Sequence, residues 1–478
     1  YIFMTKTLKR LIEFSFLLLI FLAVGFFCAI IKVNAAQEKK LNIIWIVVDA
    51  LRADHVGCYG YERHTSPFID EFANKNILFK YAFSQESYTQ ASVASFFTST
   101  YPWVNKVLYD EPTIDVLASH FITIAEILKK ANYNTAAFVF NPHLKAKFNF
   151  GQGFDLYDYK KERFSESLPK YEAFETAKKI FDKVKHYLEG IKNKHPVFLY
   201  LHYRDVHGPY IPPPPYDKVF HVSKVPALRI EEMQTEKYEV ASMICMYDGE
   251  ILYTDDYIKK TLRMLEEHHI NRMNSIIIIT ADHGEEFHDY HPLYPGSLGH
   301  NRTLYNELTH VPLIMSIPGI CPEKRTIDTY VGLIDILPTI CDILKIDWRK
   351  YGQFQGRSLL PVIKGIDKNP SVIYGGGRYG RGFVIEDGYK YYIDTQDKTH
   401  SCKRPLNNDH IMREELYDLK ADFNETKDLL SEKPTIALKL KKKLELLIKE
   451  SSPNTWSGKS VELDTQTKEE LKSLGYLQ

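Results

Sequence analysis

Apolar runs of strand length recur along the chain, and three of them end in polar side chains. Asn42–Val48 reads Asn-Ile-Ile-Trp-Ile-Val-Val and stops at Asp49. An unbroken apolar run of this length predicts a parallel strand covered on both faces. Ser275–Thr280 leads in the same way to Ala281, Asp282 and His283, and Val197–Leu201 leads to His202 and on to His207-Gly-Pro-Tyr210. Helical patterns lie between them, among them Phe174–Ile191 and Asp256–His268. This alternation predicts an α/β domain on a central, mostly parallel sheet, whose ligands bind beyond the carboxyl ends of the strands. After residue 345 the texture changes to short strand-like pieces at Ser371–Tyr374, Gly382–Ile385, Lys390–Ile393 and Glu415–Leu419, followed by a helix around Thr435–Glu450. These predict a smaller C-terminal antiparallel sheet plus helix. Residues 451–478 show no pattern.

One apolar stretch is different in kind. Phe14–Ile31 carries no charge, follows Lys6, Lys9 and Arg10, and at about 18 residues is near the membrane-spanning threshold. Residues 1–36 are therefore expected to be a transmembrane anchor or a signal peptide, and Val33-Asn34-Ala35 offers an A-x-A-like cleavage site. The rest of the chain is then either membrane-anchored and exported, or secreted or periplasmic.

Composition narrows the partners. Lys and Arg number 61 and Asp and Glu 61, so the chain lacks the basic excess that a nucleic-acid binder uses against phosphates. No nucleic acid is expected, and attraction for any ligand must come from a local site. The six cysteines, 28, 58, 245, 321, 341 and 402, stand far apart with no C-x-x-C pair. Neither a zinc knuckle nor a dense disulfide framework is indicated, and they read as mostly buried small hydrophobes. The Lys-rich face of the last helix reads as a solvated surface. Nothing in the pattern reports the oligomeric state.

The strand-end residues carry the chemistry. Asp49, Asp282 and His283 are hard oxygen and imidazole donors of the kind that bind a divalent cation. Carboxylates gathered at the mouth of a sheet repel one another unless a cation offsets them. Each residue alone could equally cap a helix or orient a turn; the combination with a candidate nucleophile favours a site.

Four ordered motifs give that combination a family. Asp49-Ala-Leu-Arg-Ala-Asp-His-Val-Gly-Cys-Tyr-Gly60, Ser95-Phe-Phe-Thr-Ser-Thr-Tyr-Pro102, Thr280-Ala-Asp-His-Gly-Glu285 and Gly299-His-Asn-Arg-Thr-Leu-Tyr-Asn-Glu-Leu-Thr-His-Val-Pro-Leu313 occur in the order found in sulfatases. The chain resembles the sulfatase family, within the alkaline phosphatase superfamily. Leu333-Ile-Asp-Ile-Leu-Pro-Thr339, Gly356-Arg-Ser-Leu-Leu-Pro361 and Glu415-Leu-Tyr-Asp-Leu419 with Asp422 and Glu425 are similar to its later parts. The resemblance covers about residues 41 to 450. It implies an alkaline-phosphatase-like mixed sheet flanked by helices, with a sulfatase-like catalytic domain at 37–345, a C-terminal subdomain at 346–450 and a tail at 451–478. It also implies a hydrolase of sulfate or phosphate esters that uses a divalent ion, whether Ca, Mg, Mn or Zn, on a small-molecule, lipid or glycan ester.

The chain departs from the family at the nucleophile. Sulfatases carry a Cys or Ser that becomes formylglycine, followed by x-Pro-Ser-Arg; alignment through Phe96-Phe97-Thr98 puts Thr89 there, with Ala91, Ser92 and Val93 after it. Threonine bears a methyl on Cβ and cannot become the aldehyde. It can attack as a metal-bound nucleophile and form a covalent intermediate, as in phosphoryl-transferring relatives. This explains a phosphorus ester more easily than a sulfate ester. It also opens an alternative, a membrane-anchored phosphoglycerol- or phosphoethanolamine-type transferase. The resemblance makes Asp49, Thr89, Asp282 and His283 the metal group, His207 the imidazole that protonates the leaving oxygen, His300 a further partner for transition-state charge, and Arg302 an oxyanion clamp. His288, His291 and His310 are taken as structural. Thr89 would also serve well as an N-cap. Ala50 stands where many sulfatases have a second Asp, which removes one ligand.

Overall fold

A computed structural model describes residues 40–108, 113–159, 175–191, 195–224, 234–287, 299–300, 302–320, 325–367, 372–377, 380–394, 413–451 and 458–473. The described residues from Asn42 onward form one compact unit. The expected anchor or signal at 1–36 lies outside the described residues, as do His288 and His291. Among the described residues no helix is long and apolar enough to cross a membrane.

In chain order the strands are β1 (Asn42–Val48), β2 (Ile77–Phe83), β3 (Thr113–Asp115), β4 (Asn134–Val139), β5 (Leu156–Tyr159), β6 (Val197–Tyr203), β7 (Ser275–Ala281), β8 (His310–Ser316), β9 (Arg325–Gly332), β10 (Ile373–Gly376), β11 (Arg381–Glu386), β12 (Tyr389–Asp394), β13 (Arg413–Asp418) and β14 (Ser460–Glu462). Eight of them form the main sheet, ordered β5-β4-β6-β1-β7-β8-β2-β9. β8 is antiparallel to β7 and to β2, and the other neighbouring pairs are parallel. This is the mixed, mostly parallel sheet expected from the apolar runs. β1, β6 and β7 are buried almost throughout because helices cover both faces. The helical pattern at Phe174–Ile191 is a helix over Thr176–Gly190, whereas Asp256–His268 is only the end of a longer helix, Gln234–Glu267.

β10 to β13 form the smaller antiparallel sheet. Its strands sit a residue or two from the positions read in the sequence, and its two faces show the period of two that a strand imposes. Val384, Tyr391 and Leu416 pack under the Pro434–Ser451 helix through Ala437, Leu440 and Leu444. Phe383, Ile385, Tyr392 and Tyr417 pack the other way, against Phe83, Leu304, Tyr305 and Tyr330 of the main sheet side. The lysines of that helix reach across to acids of the sheet, Lys441 to Glu414 at 2.7 Å and Lys439 to Glu386 at 2.8 Å. The face read as simply solvated is therefore partly spent on the sheet below it.

The patternless tail also has a place. β14 pairs antiparallel with β3, and Thr467 of the following helix accepts a hydrogen bond from Lys145 Nζ at 3.1 Å. A three-residue strand has too little periodicity to be read from sequence. Cys245 and Cys341 are free thiols and buried; burial pushes the Cys341 thiol up to about 12. Cys28, Cys321 and Cys402 lie outside the described residues.

Candidate active site

Four parallel strands that neighbour one another, β4, β6, β1 and β7, deliver Asn141, His202 with Arg204, Asp49, and Asp282 with His283 to one edge of the sheet. Thr89 comes from the helix Thr89–Thr98. It is the first residue of that helix; the N-cap is Tyr88, which makes no side-chain cap. The capping role open to Thr89 in the sequence is thus not the one it has. Its hydroxyl turns to the cluster instead.

The helix is fixed there by Ser92, whose Oγ donates to the Asp282 carbonyl at 2.6 Å and accepts from Ser84 Oγ at 2.9 Å. Thr89 Oγ1 lies 3.1 Å from His283 Nε2 and 3.4 Å from Asp49 Oδ1, all three residues being fully buried. His283 Nδ1 lies 2.8 Å from the Gly284 carbonyl. A carbonyl only accepts, so Nδ1 carries the proton and Nε2 presents a lone pair. That lone pair faces Asp49 Oδ1 at 3.6 Å and Asp282 Oδ2 at 3.7 Å.

Those three ligand atoms lie within 4.8 Å of one another. Asp282 Oδ1 accepts from the backbone N–H of Ala50 at 3.2 Å and of His283 at 3.0 Å, but Oδ2 is buried with no hydrogen-bond donor. A buried carboxylate oxygen and an imidazole lone pair aimed at one another are expected only where a cation lies between them. The residues therefore fit a divalent ion. Burial and the Asp282 carboxylate push Asp49 up. Burial would raise Asp282 too, but the protonated form of His283, with His202 and the Ala50 amide, holds it down.

The histidines stand beside this cluster. His300 packs its ring 4.4 Å from that of His283 and 4.8 Å from that of His207. Its Nδ1 is 2.9 Å from Glu285 Oε1, and Tyr210 donates to the other oxygen of Glu285 at 2.8 Å. Burial alone would lower His300, and the Glu285 carboxylate more than offsets it. His207 goes the other way: burial, with Arg204 and His300 adjacent, holds it well below the ordinary imidazole range. Its Nδ1 is 2.7 Å from the Gly208 carbonyl. Arg302 is exposed, unlike the buried members of the group. His310 is structural, bonded through Nε2 to the Lys80 carbonyl at 2.9 Å.

Five residues of this site were missed in the sequence: Asn141, His202, Arg204, Tyr210 and Glu285. Asn141 follows the apolar run Ala136–Phe140, a strand-end signal of the same kind as the other three. His202, which follows the Val197–Leu201 run in the sequence, falls within β6, and its Nε2 lies 3.5 Å from Asp282 Oδ2. Arg204 Nη2 is 3.3 Å from His207 Nδ1.

Known proteins share this fold. The family model described as Sulfatase matches residues 41–346, and that described as N-sulphoglucosamine sulphohydrolase, C-terminal, matches 297–450. An uncharacterized sulfatase of Escherichia coli (strain K12) is 23% identical over 445 residues, 82% of this chain and 84% of that protein. Iduronate 2-sulfatase of Mus musculus is 24% identical over 379 residues, 65% of each chain. Among solved structures, phosphonate monoester hydrolase of Agrobacterium radiobacter superposes with a TM-score of 0.68 at 16% identity, covering 89% of this chain and all of that one. A 2-O GAG sulfatase gives 0.67 at 21%, covering 90% and 96%. Fold and motifs together define a hydrolase acting on ester bonds, of the alkaline phosphatase superfamily. Within it, the chain belongs to the sulfatase family.

Proposed function

We propose that the chain is a metal-dependent hydrolase of phosphate or sulfate esters that attacks with Thr89 Oγ1. The observation that carries this is the position of Thr89: a buried hydroxyl on a helix start, 3.1 Å from His283 Nε2 in a cluster of ligand atoms. Asp49, Asp282 and His283 would hold the divalent ion, which when bound offsets their charge, favours loss of the hydroxyl proton and polarises the ester. The helix N-terminus adds its positive end to the binding of an anionic group. Displacement at phosphorus or sulfur joins Thr89 to the group and frees the leaving alcohol; water then releases the group and restores the hydroxyl.

The leaving oxygen needs a proton, and the His207–His300 pair supplies the imidazoles. Of the two, His300 has a carboxylate, Glu285, to support its cationic form. His207 is held in place by the Gly208 carbonyl, which also accepts from Arg204 Nη2 at 3.2 Å. This reverses the weight that sequence reading put on His207. Arg302, exposed and two residues beyond His300 in the chain, would meet the substrate as a clamp on ligand entry. An exported location, anchored or secreted, belongs to this proposal through residues 1–36.

The test is turnover of aryl phosphate, phosphonate, phosphodiester and sulfate esters by the purified chain, with chelation and re-addition of Mg, Mn, Ca or Zn, beside Thr89→Ala. We expect metal-dependent turnover of a phosphorus ester and almost none by the variant. A fully active Thr89→Ala enzyme overturns the nucleophile. Preference for sulfate overturns the phosphorus assignment, and transfer to an added alcohol in place of hydrolysis would establish the transferase alternative.

A further inference from the structure

We propose that the C-terminal tail, residues 458–473, is a positioning element for the nucleophile, a strap that holds two segments against the first turn of the Thr89–Thr98 helix. The inference rests on Thr89 as the nucleophile. The tail lies beyond both family matches, which end at 346 and 450. Its reach to the site runs through Gln90, the fully buried neighbour of Thr89. Gln90 Nε2 donates to the Asp115 carbonyl of β3 at 2.9 Å and to the His143 carbonyl, in the turn Pro142–Leu144 beyond β4, at 3.3 Å. On the other side of Thr89, the Tyr88 hydroxyl bonds to His143 Nδ1. The nucleophile is thus flanked by residues bonded to β3 and to the turn, and the tail grips both of these.

β14 pairs with β3 with Ser460 opposite Asp115, Val461 opposite Ile114 and Glu462 opposite Thr113, and the Val116 N–H reaches the Lys459 carbonyl at 2.8 Å. Among the described residues β14 is the one strand that pairs with β3. A three-residue strand in a two-stranded ribbon has little to hold it besides that partner. Past β14 the chain enters the helix Thr465–Ser473, whose first turn is capped by Asp464 Oδ1 on the Thr467 N–H at 2.7 Å. The buried Thr467 Oγ1 accepts from Lys145 Nζ at 3.1 Å and from Lys147 Nζ at 2.7 Å, and Asp464 Oδ2 pairs with Lys147. Both lysines follow the His143 turn directly. Leu463 and Leu471 are buried and anchor the tail on either side of these bonds. The tail therefore acts on Thr89 through Gln90 and His143. What it fixes is the place of Thr89 Oγ1, which lies 3.1 Å from His283 Nε2 and 3.2 Å from Asn141 Nδ2. Misplacing a reacting atom by about 1 Å costs about 10²-fold in rate.

The experiment compares Thr467→Val, Thr467→Ser and Val461→Pro with wild type and Thr89→Ala, in kcat and KM for the aryl ester that wild type turns over best. All are assayed well below the lowest thermal midpoint of the set, so that only folded protein is read. Thr467→Val keeps the side-chain shape and removes the acceptor for both lysines, whereas Thr467→Ser keeps the hydroxyl. Antiparallel pairs alternate, so the Val116–Lys459 bond puts Val461 and Ile114 among the hydrogen-bonded pairs, and Val461→Pro deletes a donor there. We expect kcat to fall about 10- to 100-fold in Thr467→Val and in Val461→Pro, with KM changed by less than about threefold, and wild-type kcat in Thr467→Ser. A tail that serves stability alone would lower the midpoint and leave kcat intact, and a tail that shields the site would raise turnover when loosened. Either result, or an equal fall in Thr467→Ser, overturns the inference. If Thr89→Ala is inactive and the tail variants are fully active, only this inference fails; if Thr89→Ala is active, the reading beneath it fails as well.

Discussion

Replacing Lys390 with methionine should loosen the C-terminal sheet from the segment that follows the active-site loop. Lys390 is fully buried on β12, and its Nζ lies 2.8 Å from Glu425 Oε1, 2.7 Å from the Leu304 carbonyl and 2.9 Å from Asn306 Oδ1. Glu425 Oε2 accepts from the Asn306 N–H at 2.5 Å. Three separate stretches of chain thus meet on one ammonium group, and burial pulls its pKa down even with the carboxylate beside it. Methionine preserves the volume but leaves a buried carboxylate uncompensated, which destabilises by about 3–5 kcal/mol. With an unfolding entropy of about 2.1 cal/mol/K per residue over roughly 400 residues, that is about 4–6 °C in Tm. Differential scanning calorimetry reads it directly, and Lys390→Met with Glu425→Gln should recover more than half, because neither member of the pair then carries a charge. Because Leu304 lies two residues beyond Arg302, KM should rise in the single variant as well. A single variant within about 1 °C of wild type, or a double variant no more stable than the single, would refute the reasoning.

Three further outcomes follow from the site and its supports. A divalent ion at about 100 times its Kd should stabilise wild type by about 2.7 kcal/mol, visible as a thermal shift; Asp282→Asn should lose most of that shift, and an equal shift in the variant would remove Asp282 from the ligand set. Glu285→Gln should lower kcat about 10- to 100-fold, through the orientation of His300 and Tyr210, with unchanged rates counting against that network. His310 is held down at about 4 by burial, below the ordinary value of about 6.5. The unfolded chain therefore binds the extra proton between those values, and stability present above pH about 6.5 is lost as pH falls toward 4, by about 3 kcal/mol. Urea midpoints at pH 7 and 4.5 should converge for His310→Gln, and an equal acid loss in the variant would show that another group is responsible.

The parts of the fold that could be read from sequence are those whose physics is local. β1, β6 and β7 are covered on both faces, so each is a continuous apolar run, and a polar residue at the end of such a run is conspicuous. Asp49, Asp282 and His283 were found in that way, and Thr89 by its place in a resembling motif. Asn141 carries the same strand-end mark, but nothing in a run of Ala and Phe says that its amide will reach Thr89 across β6 and β1. His202 stands at the end of the Val197–Leu201 run, but nothing local says that it will face Asp282 at the end of β7. Glu285 belongs to a quoted motif, yet its partners, His300 and Tyr210, lie on two loops that only the fold brings together. The pairing of β14 with β3 depends on contact across most of the chain, which no local pattern records. The relative weight of His207 and His300 turned on neighbours as well: a carboxylate beside one, a guanidinium beside the other.

The nucleophile and the ligand atoms come from separate elements, so their mutual geometry depends on cross-links between those elements rather than on any one of them. Ser92 joins the Thr89 helix to the end of β7 through the Asp282 carbonyl, and the Ala50 N–H joins the end of β1 to the Asp282 carboxylate. Tyr247, from the long Gln234–Glu267 helix, donates its hydroxyl to the Ala50 carbonyl at 2.7 Å and accepts from the Arg52 N–H at 2.9 Å. Ala50 itself has a φ of 58°, a left-handed conformation that costs a non-glycine residue about 1 kcal/mol or more. That strain is tolerated because the conformation aims both polar groups of one residue at partners that hold the site, the N–H at Asp282 and the carbonyl at Tyr247. An aspartate at this position, as in many relatives of the family, would have to serve as a ligand from the same constrained backbone. Here the backbone keeps the supporting role and the side chain has shrunk to a methyl. Both backbone groups of Ala50 thus hold in place the residues that gather around the Thr89 hydroxyl.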